Sequence, residues 1–115
     1  MGVITLATDD MQVIIYKILA YLYSCMKNGI KPDRDRYSHV AFGIPESYWN
    51  SIMLELHEHG YVRGLVIAND FGGDLIVAGC DPTITFEGIQ YLQENSLMQK
   101  TKRFLQDTKS IIPGI

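Results

Sequence analysis

The sequence predicts an α+β domain of the winged helix-turn-helix type, with three helices, a β-hairpin wing and two C-terminal helices. Apolar residues recur at helical spacing in the first half, two β-rich runs flank a Gly- and Asp-containing turn in the middle, and helical spacing returns near the end. With 115 residues and 47% hydrophobic content, the chain can build one core. We therefore predict a single domain over 1–115, with a helical extension at about 96–112.

The first three helices are predicted from their caps and from the residues that end them. The first helix runs from about residue 11 to Asn28-Gly29, the second from Pro32-Asp33 to Gly43, and Pro45 opens the third. A cap and negative charge for the first helix come from Thr8, Asp9 and Asp10. The buried face of the third helix is predicted to hold Trp49, Ile52, Met53 and Leu56.

The second half of the chain predicts a hairpin and two helices. Residues 61–68 and 75–78 pair around the turn at 69–74, and 82–85 form a short extended piece. A helix then runs from Phe86 to Asn95, Ser96 caps the last helix, and Pro113-Gly114 ends it. The apolar stripe of the last helix is predicted as Leu97, Thr101, Phe104, Leu105, Thr108, Ile111 and Ile112.

Three short strings resemble known motifs. Residues 39–46 (HVAFGIPE) resemble the second helix and turn of winged-helix domains, and 56–62 (LHEHGYV) resemble their junction into the wing. Residues 84–92 (ITFEGIQYL) are similar to the I-T-x-x-G-x-x-Y-L helix start of the YjcQ family, small proteins of Gram-positive bacteria and their phages. This resemblance implies a winged-helix fold and a phage or mobile-element origin. It implies no mechanism, because members of that family have no established activity.

Composition sets limits on location and partners. The net charge is −3 and the pI about 5.5, so only a local patch could contact a polyanion. We find neither a secretory leader nor an apolar run of roughly 18 residues, as a membrane span requires. Cys25 and Cys80 are far apart, which favours free thiols in a reducing compartment. These features predict a cytoplasmic protein without membrane contact.

The third helix lacks the charges of a DNA-reading helix. Its outward side carries Glu46, Glu55 and Glu58 but no lysine or arginine, and Asn50 is its one good base-reading side chain. The turn of the wing is acidic as well. A solvated acidic face is therefore favoured over base readout, and exposed Leu54 among these acids suggests a docking point for a partner protein.

Basic residues collect in two other places, one around the start of the second helix and one on the last helix. Mixed signs in the first group and the terminal position of the second favour solvated faces in both. If the domain does bind DNA, phosphates would be contacted by these cations and bases by polar side chains of the third helix. That alternative assigns nucleic-acid contacts to Asn50, Ser51, Lys31, Arg34, Arg36, Lys102 and Arg103.

The first helix is apolar nearly all round, which requires a cover on both sides. Its second stripe can be covered by the last helix of the same chain or by that of a second copy, and a homodimer that buries both stripes is slightly favoured. The predicted dimer and partner interface is Val13, Tyr16, Ala20 and Tyr23, together with Leu54.

Catalytic signatures are not found. The chain shows no nucleophile with a base, no phosphate-binding glycine loop after a strand and no metal motif; Glu55 and His59, four residues apart, are only a weak metal signal. We therefore predict a non-catalytic interaction module that self-associates and binds an unknown partner protein, without cofactor or metal. The alternative is a DNA-binding transcriptional regulator.

Overall fold

The computed structural model describes residues 7–69, 72 and 75–107. Within them the order of elements is the predicted one, and the fold is α+β, a winged-helix-like arrangement followed by two helices. The elements are α1 (Met11–Asn28), α2 (His39–Phe42), α3 (Glu46–Glu58), β1 (Val62–Asn69), β2 (Leu75–Ile84), α4 (Phe86–Glu94) and α5 (Ser96–Asp107).

The first three helices end in the same way, at a glycine in the left-handed region. Gly29, Gly43 and Gly60 have φ of 65°, 67° and 70°, which glycine adopts without steric cost. In each case the next residue donates its N–H to a carbonyl five positions back, as from Tyr61 to Leu56 at 2.9 Å. The predicted helix ends at Gly29 and Gly43 are confirmed.

The predicted start of α1 at about residue 11 is confirmed, but its cap and the start of the second helix differ from the prediction. Asp10 is the N-cap of α1, but its carboxylate accepts from the Ala7 N–H at 2.8 Å and not from the helix. The second helix begins at His39, since the Ser38 hydroxyl accepts from the Ala41 N–H at 3.2 Å. Asp33, where that helix was expected to start, accepts from the Asp35 N–H and forms a turn instead.

The last two helices follow each other with one residue between them. Thr85 caps α4 by accepting from the Gly88 N–H at 3.0 Å. Ser96 does not cap α5: the Asn95 side-chain oxygen accepts from the N–H groups of Leu97 and Met98, at 2.9 and 3.3 Å, and Ser96 is the first helical residue. Asparagine and serine are comparable caps, so their order could not be read from the sequence.

The wing is an antiparallel hairpin whose second strand is longer than predicted. Its register pairs Val62 with Ile84 and Asn69 with Leu75, so the piece expected at 82–85 continues β2. An irregularity falls between Arg63 and Leu65, and Gly64 within it has φ of 86°. Residues 80–82 lie opposite Gly64. Pro82, which has no N–H, is tolerated there because the strand pairing is interrupted.

Helix α1 is the centre of the core. It packs against α5, α4, β2 and α3, so the chain's own elements cover it on more than one side. Met98, Thr101 and Leu105 of α5 are fully buried, whereas Leu97 and Phe104 are half-buried. The predicted stripe of α5 thus lacked Met98, and its members Thr108, Ile111 and Ile112 lie outside the described residues, as does Pro113-Gly114.

None of the helices described here has the length and apolar character needed to cross a membrane.

Candidate functional site

An aromatic cluster holds the inner side of α3. The predicted buried face is confirmed: Trp49, Ile52, Met53 and Leu56 are buried. The Trp49 ring meets Tyr37 edge-on at 5.1 Å and Phe42 at 5.4 Å. The Tyr37 hydroxyl also donates to the Met53 sulfur at 3.0 Å, and burial raises the pKa of Tyr37 well above its usual range. These contacts fix the orientation of α3, so one defined side of the helix faces solvent.

We call the solvent side of this helix the α3 outer face: Glu46, Ser47, Asn50, Ser51, Leu54, Glu55, His57 and Glu58. Its three glutamates are exposed, and α3 contains no lysine or arginine. The Ser51 hydroxyl donates to the Ser47 carbonyl at 3.0 Å, and Asn50 is half-buried and engaged within the chain. The two residues assigned to base contacts in the DNA-binding alternative, Asn50 and Ser51, thus both interact within the chain.

Leu54 is less exposed than predicted. It is half-buried, because it lies beside Met53 at the edge between the buried and solvent sides of α3. It can offer only part of an apolar surface to a partner.

Two histidines accompany the glutamates of this face. The His39 Nε2 lies 3.7 Å from a Glu46 carboxylate oxygen, and the His59 Nδ1 lies 3.6 Å from one of Glu55. The His59 Nδ1 is also 2.9 Å from the Glu55 carbonyl oxygen. The Glu55–His59 pair is therefore a surface pair, and the described part of the chain contains no group of three or more metal-ligating side chains.

The second stripe of α1 is covered by the chain itself. Val13, Tyr16 and Ala20 are 0%, 2% and 3% exposed, and Tyr23 is half-buried. Because α4 and α5 pack on α1, these residues are not available as a dimer interface while α5 stays in place. Of the two covers left open by the sequence, the structure contains the one within the chain.

A groove remains where α5 meets this stripe. We call it the α1–α5 groove; its volume is about 350 Å³, and it is lined by Tyr16, Ala20, Tyr23, Lys27, Leu92, Gln93, Gln99 and Lys102. The Lys27 ammonium lies 4.6 Å from the centre of the Tyr23 ring. Lys27 and Lys102 are 75 positions apart in sequence, so only the fold brings them to one groove.

The other predicted cations are spread out. Lys31 pairs with Asp81 of the wing at 3.4 Å, and Arg34 is exposed on the turn before α2. Arg36 lines a second groove of about 440 Å³, whose other lining residues are Thr8, Ile14, Lys17, Tyr21, Asp35, Ala41 and Phe42. Lys100 and Arg103 are exposed on α5.

The family-like string at 84–92 forms a joint between α4 and the start of the wing. Thr85 donates its N–H to the Tyr61 carbonyl at 3.0 Å and its hydroxyl to the Gly60 carbonyl. A Cβ on Gly88 would lie 2.3 Å from the Tyr61 carbonyl oxygen, so only glycine fits there. The Tyr91 ring stacks on Tyr61, with centres 4.5 Å apart. These motif residues therefore hold α4 against the start of the wing.

Sequence reasoning missed several residues of the grooves. Lys17, Gln93 and Gln99 carried no periodic signal, because polar residues on amphipathic helices are read as solvated. Tyr37, which holds Trp49, stood in a segment taken for helix. One usable signal was present: Lys27 continues the stripe of Tyr16, Ala20 and Tyr23 at the next helical spacing.

The comparisons with known proteins agree with the motif at 84–92. A family model described as YjcQ protein matches residues 16–111, which is most of the chain. No match was found among curated proteins or among solved structures. The match begins within α1 and runs through α5, including the α4 joint and the α3 outer face, and the chain therefore belongs to the YjcQ family.

Proposed function

We propose that this chain is a non-catalytic interaction module and that a partner protein docks on the α3 outer face. One observation carries the proposal: Glu46, Glu55 and Glu58 are exposed on a helix that has no lysine or arginine. A winged helix that binds DNA places this helix in the major groove, where three carboxylates would be repelled by phosphates. The same carboxylates would attract a cationic protein surface.

The partner is proposed to present a basic segment with one apolar side chain. Lysine or arginine would pair with the glutamates, and the apolar side chain would contact the half-buried Leu54. A phage or mobile-element origin, which the family resemblance implies, is part of the same proposal.

The proposal is tested by NMR titration of the isotope-labelled chain with a synthetic Lys- and Arg-rich peptide containing one leucine. We expect chemical-shift changes to concentrate at residues 46–58, and Glu46→Gln/Glu55→Gln/Glu58→Gln to weaken binding about ten-fold or more. The matched control is Glu87→Gln/Glu94→Gln/Asp107→Asn, which neutralises three exposed acids of α4 and α5. Equal weakening in both variants, or shifts centred elsewhere, would contradict the proposal.

Self-association is proposed to occur by exchange of α5 between two copies. The support is that α1 needs α5 as a cover and that a single residue, Asn95, separates α4 from α5, so a small change there would redirect α5 to a second copy. Light scattering coupled to size exclusion should show twice the monomer mass at high concentration. A monomer at every concentration would exclude this route.

The second candidate function is DNA binding through the basic side of α5. It is favoured by Lys100 and Arg103, exposed on one helix with only Asp107 opposing them. Fluorescence anisotropy with a mixed-sequence duplex at low salt is the test. If this function holds, Lys100→Gln/Arg103→Gln should reduce the affinity and the salt dependence. If the duplex does not bind at low salt, this candidate is excluded.

A further inference from the structure

We propose that the α1–α5 groove binds the phosphate group of a small phosphorylated molecule. This site is separate from the α3 outer face, and it does not depend on the function proposed for that face. The groove joins the charge and the hydrogen-bond donors that a phosphate requires in one place.

The first argument is charge. Lys27 of α1 and Lys102 of α5 both line the groove, and none of the described residues that line it is an aspartate or glutamate. The chain as a whole carries a net charge of −3. The described lining, with two lysines and no acid, is therefore a local departure from the overall charge. Lysine is a common point-charge contact for phosphate.

The second argument is the hydroxyl of Tyr16. Tyr16 is 2% exposed and lines the groove, yet its hydroxyl makes no hydrogen bond to any residue in the described part of the chain. Every fully enclosed side-chain oxygen or nitrogen described has a partner. An unbonded Tyr16 oxygen therefore keeps some exposure to solvent, and because Tyr16 lines the groove we infer that its O–H can donate to a ligand there.

The third argument is that the walls are fixed before any ligand arrives. Lys27 is held over the Tyr23 ring at 4.6 Å. The Gln99 side-chain N–H₂ donates to the carbonyls of Leu92 and Gln93, at 3.1 and 2.7 Å, which fastens α5 to the end of α4. Little ordering is then needed on binding, which favours affinity for a small ligand.

Size sets the ligand class. The volume of about 350 Å³ lies at the lower end of the usual range for small-molecule pockets. The small side chain of Ala20, between the two tyrosines of the stripe, leaves this space open. A phosphate with a compact organic body fits the groove, whereas a nucleic-acid duplex would meet only its rim.

The experiment is an NMR titration with inorganic phosphate and with ribose 5-phosphate. We expect both to shift the amides around Tyr16, Lys27 and Lys102, with tighter binding of the ester. Tyr16→Phe should weaken binding about ten-fold, because it removes one hydrogen bond to a charged group, without lowering the melting temperature. Lys27→Gln/Lys102→Gln should abolish binding, while Lys31→Gln/Lys100→Gln, of equal charge change, should not.

Three results would overturn the proposal. One is that neither probe binds the wild-type chain. Another is that the control variant loses as much affinity as Lys27→Gln/Lys102→Gln. The third concerns the source of the phosphate: tighter binding of duplex DNA that Lys27→Gln/Lys102→Gln removes would assign the groove to nucleic acid. The glutamate variants of α3 should bind both probes normally, so this test and that of the α3 outer face can fail separately.

Discussion

At Gly88, the space beside the backbone is too small for a methyl group. An added Cβ would lie 2.3 Å from the Tyr61 carbonyl oxygen and 2.8 Å from Ile84 Cγ1, and a backbone atom cannot move aside cheaply. We expect Gly88→Ala to lower the free energy of unfolding by roughly 1–3 kcal/mol, measured by urea denaturation. Gln90→Ala, at an exposed position of the same helix, is the control. Equal stability of the two variants would contradict the tight joint.

Tyr37 makes the free energy of unfolding depend on pH in the alkaline range. Its folded-state pKa is raised by burial above the ordinary value of 10.0, so the unfolded chain loses this proton first as pH rises. The stabilisation is complete below about pH 10 and declines above it, where the unfolded state is favoured. The melting temperature of Tyr37→Phe should therefore fall less than that of the wild type between about pH 8 and about pH 11.

The control for Tyr37 is Tyr23→Phe, which alters a half-buried tyrosine outside the aromatic cluster. Burial also raises the pKa of Tyr16, Tyr21, Tyr48 and Tyr91, so the decline should shrink in the Tyr37 variant and not vanish. A decline as steep as in the wild type would show that Tyr37 is not the main contributor.

At the scale of elements, the start of α5 offers a matched pair of substitutions. Asn95 accepts from two N–H groups of the first turn, whereas the Ser96 side chain, exposed one residue later, is not the cap. Asn95→Ala should reduce the free energy of unfolding by about 1 kcal/mol, and Ser96→Ala should change it little. The reverse result in chemical denaturation would restore Ser96 as the cap.

The sequence predicted the elements better than their starting points. Glycines marked helix ends because a left-handed residue is needed there, and Pro45 marked the start of α3. Helix starts were harder to predict, because several residues are plausible caps and the choice among them depends on packing. These residues are Asp33, Ser38, Asn95 and Ser96. Extension of β2 past 78 was missed because Pro82 usually ends a strand; here it sits opposite the irregularity at Gly64.

The candidate sites were predictable only in part. The acidic outer face of α3 followed from helical spacing, which is local. The α1–α5 groove could not be predicted, because Lys27 and Lys102 come to line one groove only through the packing of two helices that are distant in sequence. Burial of Tyr16 and Ala20 was likewise undecided, since periodicity shows that a stripe needs a cover but not which helix supplies it.

For the whole molecule, the core predicts one cooperative unfolding transition. Buried residues of α1, α3, the hairpin, α4 and α5 form one cluster, which includes Trp49 and Leu105. Trp49 is the single tryptophan of the chain, so its fluorescence reports on α3 alone. We expect the fluorescence and far-ultraviolet circular dichroism transitions to coincide in urea. Separate midpoints would indicate that the C-terminal helices unfold on their own and that the chain is not a single domain.

The joint between α4 and the wing also affects how relatives of this protein should be compared. Thr85, Gly88 and Tyr91 meet the backbone or ring of Tyr61, so a relative that shares them reveals common architecture and nothing about its ligand. We expect functional differences between relatives at other positions, namely Glu46, Glu55 and Glu58 or Lys27 and Lys102. An alignment scored at those positions alone would sort the family into groups by what each member recognises.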